Sequence, residues 1–219
     1  MMDKERMCYA VVILIVLIVV SGGNNKIYDY FTTSTTISNY DQRAYKVVGG
    51  FTDRDVAADK LAKLHEFIVN YLRFVKTKFI INNEGSVEHE LFFKRVLKNY
   101  NPDVIFENDP KPGEETSFVA DKGKEFGICL RKKGSLNDQM HEMSILKFVM
   151  LHELTHLGCV SYGHDAEFWG SFKMVLAEAV ASGLYTPVDY SHNPVNYCGL
   201  TVSSNPYCSG NNKCSKNIY

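Results

Sequence analysis

The sequence predicts an α+β fold in which a small sheet packs on one central helix, and three observations carry that expectation. Two stretches repeat apolar residues at three- and four-residue steps, the helical period. Several short runs rich in Val, Ile and Phe lie between turn residues, as strands do. Residues 140–158 are apolar on most faces, which places that helix in the middle of a domain. The composition agrees: 219 residues, 45% hydrophobic and 22% charged, suit one domain with a true core plus short extras. A formal net charge of −1, with no Lys/Arg-rich block, gives no sign of a nucleic-acid binder.

Taken in order, the chain opens on an apolar run, MCYAVVILIVLIVV at 7–20, which makes residues 1–23 an expected transmembrane anchor or signal sequence. Lys4 and Arg6 precede the run and Lys26 follows it, a bias that leaves the N-terminus in the cytoplasm and the domain across the membrane. The expected localisation is a single-pass membrane protein, with a secreted form as the alternative. The polar, Thr- and Ser-rich residues 24–43 read as a linker. The domain is expected over 44–200. AYKVVGG reads as a short strand closed by glycines. Thr52 and Asp53 then cap an amphipathic helix whose apolar face carries Val56, Leu61, Leu64, Ile68, Tyr71, Leu72 and Val75. NNEGS breaks it, and a second helix with Leu91, Phe92, Val96 and Leu97 ends before Asn101-Pro102. DVIFEN reads as a strand, DPKPGEE as a proline-rich loop, and TSFVADKGKEFGICLRKK as a hairpin turning at Lys122-Gly123. After the central helix, another runs from about Asp165 to Ser182 with Phe168, Trp169, Phe172, Val175, Leu176 and Ala179 on its apolar side. The rest is rich in turns and should wrap the domain, with 201–219 an irregular Cys-containing tail. Outside the apolar run stand Cys129, Cys159, Cys198, Cys208 and Cys214, an odd number, so one thiol at least lacks a partner among them. Cys208 and Cys214 can close a small loop, and disulfides there would fit an oxidising compartment.

The chemistry gathers in Val149 to Trp169, VMLHELTHLGCVSYGHDAEFW, which holds three of the seven histidines. A helix sets residues i and i+4 on one face, about 6 Å apart along its axis. His152 and His156 can therefore offer two imidazoles to one cation. Glu153, rotated about 100° from His152, need not bind the metal and can reach a water on it instead. Buried imidazoles need polar partners and a metal supplies one, so His-Glu-x-x-His on this helix points to a metalloprotease site. A catalytic zinc takes three protein ligands and keeps one position open. His164 is the first candidate for the third. In an unbroken helix it would lie about 12 Å beyond His156, so the chain must fold back, with Gly158 and Gly163 placed to allow it and Asp165 to cap the next helix. Glu178 on that later helix is the runner-up, and His192 can approach from the tail. His141 reads as a surface or helix-start residue, and Tyr185, Tyr190 and Tyr197 as structural.

These residues carry a resemblance. HELTH followed by GHDAEFW resembles the His-Glu-x-x-His plus His-Asp-x-x-Phe pattern of WLM and SprT-like metallopeptidase domains. The longer series DKGKEFGICLR, FVMLHELTHL, HDAEFWGSF and GLYTPVDYSHNPVNYCG is closer still to uncharacterised, membrane-anchored WLM-like proteins of large DNA viruses. The resemblance covers roughly Tyr45 to Cys208. It implies a zincin-like metallopeptidase domain with a small sheet against the active-site helix, a Zn²⁺ cofactor held by His152, His156 and His164, and Glu153 as general base. The spacing from His156 to His164 is longer than in the familiar WLM arrangement and shorter than in the SprT one. Those relatives cleave proteins crosslinked to DNA; with no basic surface in this sequence, that substrate is not carried over.

The expected function is thus a zinc-dependent endopeptidase acting on a protein or peptide substrate, with no nucleic-acid partner and with residues 7–23 in a membrane. The hairpin at Lys122-Gly123 would lend an edge strand to an extended peptide. Two other classes compete. One is a structural or virion membrane protein whose zinc site is non-catalytic and closed by a fourth ligand. The other is a secreted protease that loses about its first 22 residues.

Overall fold

Residues 33–109, 114–133, 139–209 and 212–215 are described in this computed structural model. Strands β1 (Thr33–Ile37) and β2 (Ala44–Val48) form an antiparallel pair, Thr33 facing Val48 and Ile37 facing Ala44. The first of them falls within the stretch expected as linker. TSTTI is mostly β-branched and its side chains alternate between open and half-covered positions, which suits an edge strand with one face against the protein. Its polarity hid it, because an edge strand needs few apolar residues.

Helix α1 (Arg54–Val75) buries Leu61, Leu64, Ile68, Tyr71, Leu72 and Val75 at the expected steps, while Val56 in its first turn is exposed. Asp53 stands at its N-cap without a side-chain cap bond; its Oδ1 accepts instead from Arg131 at 2.7 Å. The helix continues past Val75 as a π-helical segment, Lys76–Ile81, which buries Phe79. Helix α2 (Val87–Asn99) begins at Ser86, whose hydroxyl accepts the His89 N–H, and stops short of Asn101-Pro102. Three short strands follow: β3 (Ile105–Glu107), β4 (Phe118–Ala120) and β5 (Glu125–Ile128). The sheet order is β1-β2-β3-β5-β4, with β2, β3 and β5 parallel and the two outer strands antiparallel to their neighbours. Helices α1 and α2 supply the long crossover that parallel β2 and β3 require.

A buried ion pair ties the elements together. Arg131, just past β5, donates to Glu107 Oε1 at 2.8 Å and to Asp53, and its guanidinium lies 3.8 Å from the centre of the Phe51 ring. Burial raises the Glu107 pKa, an effect that the Val48 N–H and Arg131 oppose.

Helix α3 (Met143–Gly158) is the central element, packed against α1, α2, β4 and helix α4 (Ala166–Ala181). That contact on several sides explains its apolar circumference. A hairpin of β6 (Val195–Tyr197) and β7 (Leu200–Val202) closes the domain, tied to the end of β5 by the Cys129–Cys198 disulfide. Cys208 and Cys214 form the small loop and Cys159 remains a buried free thiol. The result is a mixed α+β arrangement of four helices and a five-stranded sheet, among the described residues.

The expected single-pass membrane localisation is corrected. Among the described residues no helix is long and apolar enough to cross a membrane. The core of α3 is interrupted by His152, Glu153 and His156, and its length of 16 residues falls short of the roughly 20 that a bilayer asks for. The apolar run at 7–20 lies outside the described residues.

Candidate metal centre

Helix α3 is covered by its neighbours on several sides and keeps one half-open strip towards a cleft. His152 and His156 are half-buried on that strip with ring centroids 5.1 Å apart, and Glu153 beside them is buried. The helix ends at Gly158, where any Cβ would stand 2.3 Å from the Phe92 ring; only glycine lets α2 and α3 approach this closely. The chain then turns back through Gly163, whose φ of +91° favours glycine. Two carboxylates anchor the return. Asp165 Oδ1 accepts the Phe168 N–H at 3.0 Å and caps α4, and Glu167 accepts the N–H groups of Val160 and Ser161.

The return brings His164 onto the other two histidines. Its Nε2 lies 2.8 Å from His152 Nε2, and its ring centroid is 4.8 Å from that of His152 and 4.9 Å from that of His156. One ligand atom from each of the three lies within 4.8 Å of the others, so the triad could hold a metal ion. Phe168, fully buried on α4, lies against all three rings at centroid distances of 4.7, 4.3 and 4.6 Å. From sequence Phe168 was one apolar residue among six on a helix face. Its signal in the sequence was the Phe of the His-Asp-x-x-Phe pattern, four residues after His164, which did not by itself place the ring beneath the cluster.

The electrostatics suit a cation. Burial, then the neighbouring imidazoles, push the His152 pKa down to about 3; burial, then His164 and Lys122, push that of His156 down to about 4. Both rings are therefore neutral near pH 7 and have lone pairs to give. The Glu153 carboxyl is pushed up to about 8, by burial first and by the charge of Glu115 second, against a hydrogen bond from the Val119 N–H. That bond connects Glu153 to β4, the strand at the end of the sheet.

The histidines and Glu153 open into a cleft of about 580 Å³, walled on one side by Phe118 and Val119 of β4 and on the other by Tyr197, Leu200 and Val202 of the β6–β7 hairpin. Tyr197 is held rigidly: its hydroxyl donates to the Cys129 carbonyl at 2.9 Å and is 2.6 Å from Ser117 Oγ.

The other candidates lie elsewhere. Glu178 grips Lys78 with both oxygens, at 2.9 and 2.7 Å. His192 is exposed and bonded to Asp189 at 2.6 Å. His141 is not the surface residue the spacing suggested: it is buried, its Nε2 accepting the Cys198 N–H at 3.3 Å, because the β6–β7 hairpin folds over the segment before α3. Tyr185 and Tyr190 are core residues.

No protein-family model matches the chain. It is similar to three viral proteins: it is 34% identical over 133 residues to uncharacterized protein R325 of Acanthamoeba polyphaga mimivirus, 61% of this chain and 62% of that one. It is 32% identical to uncharacterized protein 136R of Invertebrate iridescent virus 6, over 40% of this chain and 46% of that one. With uncharacterized protein 042R of Invertebrate iridescent virus 3 it shares 33% identity, over 44% and 57% of the two chains. The chain thus spans about half to three fifths of the length of these relatives. Among solved structures it is similar to Wss1 from Saccharomyces cerevisiae, at 16% identity and a TM-score of 0.42, covering 63% of this chain and 88% of that one.

Proposed function

We propose that the domain is a zinc-dependent endopeptidase of zincin-like build, in which His152, His156 and His164 hold Zn²⁺ and Glu153 is the general base. The convergence of three imidazoles on one point beside a buried carboxyl carries this reading. Three imidazole nitrogen donors suit zinc, which favours imidazole and a tetrahedral shell. No fourth His, Cys, Asp or Glu joins the cluster among the described residues, which supports a catalytic site with an open position over a closed structural one.

When bound, zinc would acidify a water molecule and polarise the scissile carbonyl. The chain's own groups do the remainder. The charge of a cation held beside Glu153 would favour its ionised form against the burial that raises its pKa. The carboxylate then accepts the proton of the attacking water and returns it to the amine that leaves, and the N–H of Val119 holds it towards the cleft. Strand β4 stands at the edge of the sheet with β5 on one side, so its other side can pair with an extended peptide laid across the cleft. Val149, Leu200 and Val202 give that path apolar walls. The substrate class is therefore a protein or peptide segment in extended form.

Metal analysis of the purified protein beside His152→Ala and His164→Ala tests the site. One zinc per chain, lost or weakened in both variants, is expected. Glu153→Gln should keep its zinc and lose hydrolysis of an unstructured protein by a factor of at least about 10². Hydrolysis retained by that variant removes Glu153 from its role, and absence of metal in the wild type removes the peptidase reading altogether.

A further inference from the structure

A helix leaves its last four carbonyls without partners. In α3 these are the carbonyls of Thr155, His156, Leu157 and Gly158; the Cys159 N–H takes the first at 3.1 Å, and side chains from outside the helix take the other three. From α2, Arg95 Nε donates to the Gly158 carbonyl at 2.5 Å and Asn99 Nδ2 to that of Leu157 at 2.9 Å. Lys122 takes the remaining one, that of His156, and two more beyond the end of the helix. Its Nζ donates to the carbonyls of His156 at 3.2 Å, Cys159 at 2.8 Å and Ser161 at 3.0 Å. An ammonium has three N–H donors, and here all three are directed at the stretch between His156 and His164. The positive charge also stands at the negative end of the helix dipole, and it lies 4.4 Å from the centre of the Tyr162 ring in the same stretch.

The turn that delivers Lys122 is built for the purpose. Asp121, Lys122 and Gly123 all have positive φ, at 47°, 54° and 103°. Asn, Asp and Gly are the residues that accept such angles readily; lysine is the unfavourable choice at the second position, and it is the lysine side chain that reaches α3. Gly123 admits no substitute, since a Cβ there would lie 2.1 Å from the Asn99 carbonyl oxygen. The turn is thereby seated on the end of α2, beside the residues that cap α3.

We propose that Lys122 is the positioning residue of the histidine cluster: by joining the carbonyls of His156, Cys159 and Ser161 it fixes the turn that carries His164 back onto His152 and His156. Its functional meaning rests on the metal site proposed above, and the test keeps the two apart. Lys122→Met and Lys122→Arg are made in the full chain, with Lys124→Met as a control because Lys124 is exposed and paired with Asp121. Two quantities are read: hydrogen exchange of the amides at 159–164, and zinc affinity by competition with a chromophoric chelator. In Lys122→Met, exchange at 159–164 should rise about tenfold or more, confined to that segment, and zinc should bind about tenfold more weakly, the usual size for loss of a group that orients a ligand. Lys122→Arg should fall between wild type and Lys122→Met in both, and Lys124→Met should match wild type. Unchanged exchange at 159–164, or loosening spread evenly over α3 and the sheet, overturns the proposal. Should Lys122→Met fail to fold, Lys122→Arg decides: faster exchange at 159–164 supports the role, and wild-type exchange overturns it. A wild type that binds no zinc sinks the metal reading alone, and the exchange result still judges Lys122.

Discussion

His141 is buried with its Nε2 taken by the Cys198 N–H and its ring 4.8 Å from that of Tyr197. Burial, and then the charges of Lys132 and Lys60, hold its pKa down to about 4, below the ordinary histidine value of about 6.5. Between those two values the unfolded chain binds a proton that the folded chain does not. Stability from this residue is therefore complete above about pH 6.5 and is lost as the pH falls towards 4, by about 3 kcal/mol in all. Urea unfolding of wild type and His141→Gln from pH 7 to 4 should show a shallower loss in the variant; parallel curves would remove His141 from the acid sensitivity. His152 and His156 have depressed values as well, so the difference between the two proteins, not the wild-type slope, is the measure. Sequence spacing alone misplaced His141, because its burial comes from a hairpin more than fifty residues further on. The i, i+4 pair His152 and His156 was legible for the opposite reason: helix geometry places both without help from the rest of the chain.

Helix α3 shows what an element can and cannot announce. Its period was hidden because it is covered on several sides, yet that excess of apolar residues itself marked it as central. The close crossing with α2 was not announced. Gly158 reads from sequence as a helix stop, whereas the structure gives it a second task as the contact point for Phe92. Gly158→Ala should force α2 and α3 apart and cost about 1–3 kcal/mol, as overpacked contacts do. Thermal unfolding would detect this, and a melting temperature equal to wild type would show that Phe92 can move aside. The short elements fared less evenly. β1 was hidden by its polarity, while the β4–β5 hairpin was visible because Lys122-Gly123 lies between two β-rich runs.

Among the described residues one long-range covalent link closes the domain. Cys129–Cys198 spans 69 residues and joins the end of β5 to the hairpin that walls the cleft. Replacing both cysteines by serine should lower stability by about 2–5 kcal/mol through the freedom restored to the unfolded chain. Urea unfolding measures it, and an unchanged midpoint would show that Tyr197 and its hydrogen bonds hold the hairpin unaided. Cysteine counting from sequence reached the nearby Cys208–Cys214 loop and one leftover thiol, since short loops are visible in spacing; it could not pair Cys129 with Cys198. By itself the sequence determined the α+β composition, the central helix, and the side-by-side placement of His152, Glu153 and His156, all of which depend on periods of a few residues. Only the tertiary structure decided that His164 and not Glu178 or His192 meets that pair, that Phe168 lies beneath the three rings, and that Lys122 holds the turn between them. Those placements depend on where distant segments meet, and that is set by the packing of α3, α4 and the sheet together, which no local period records.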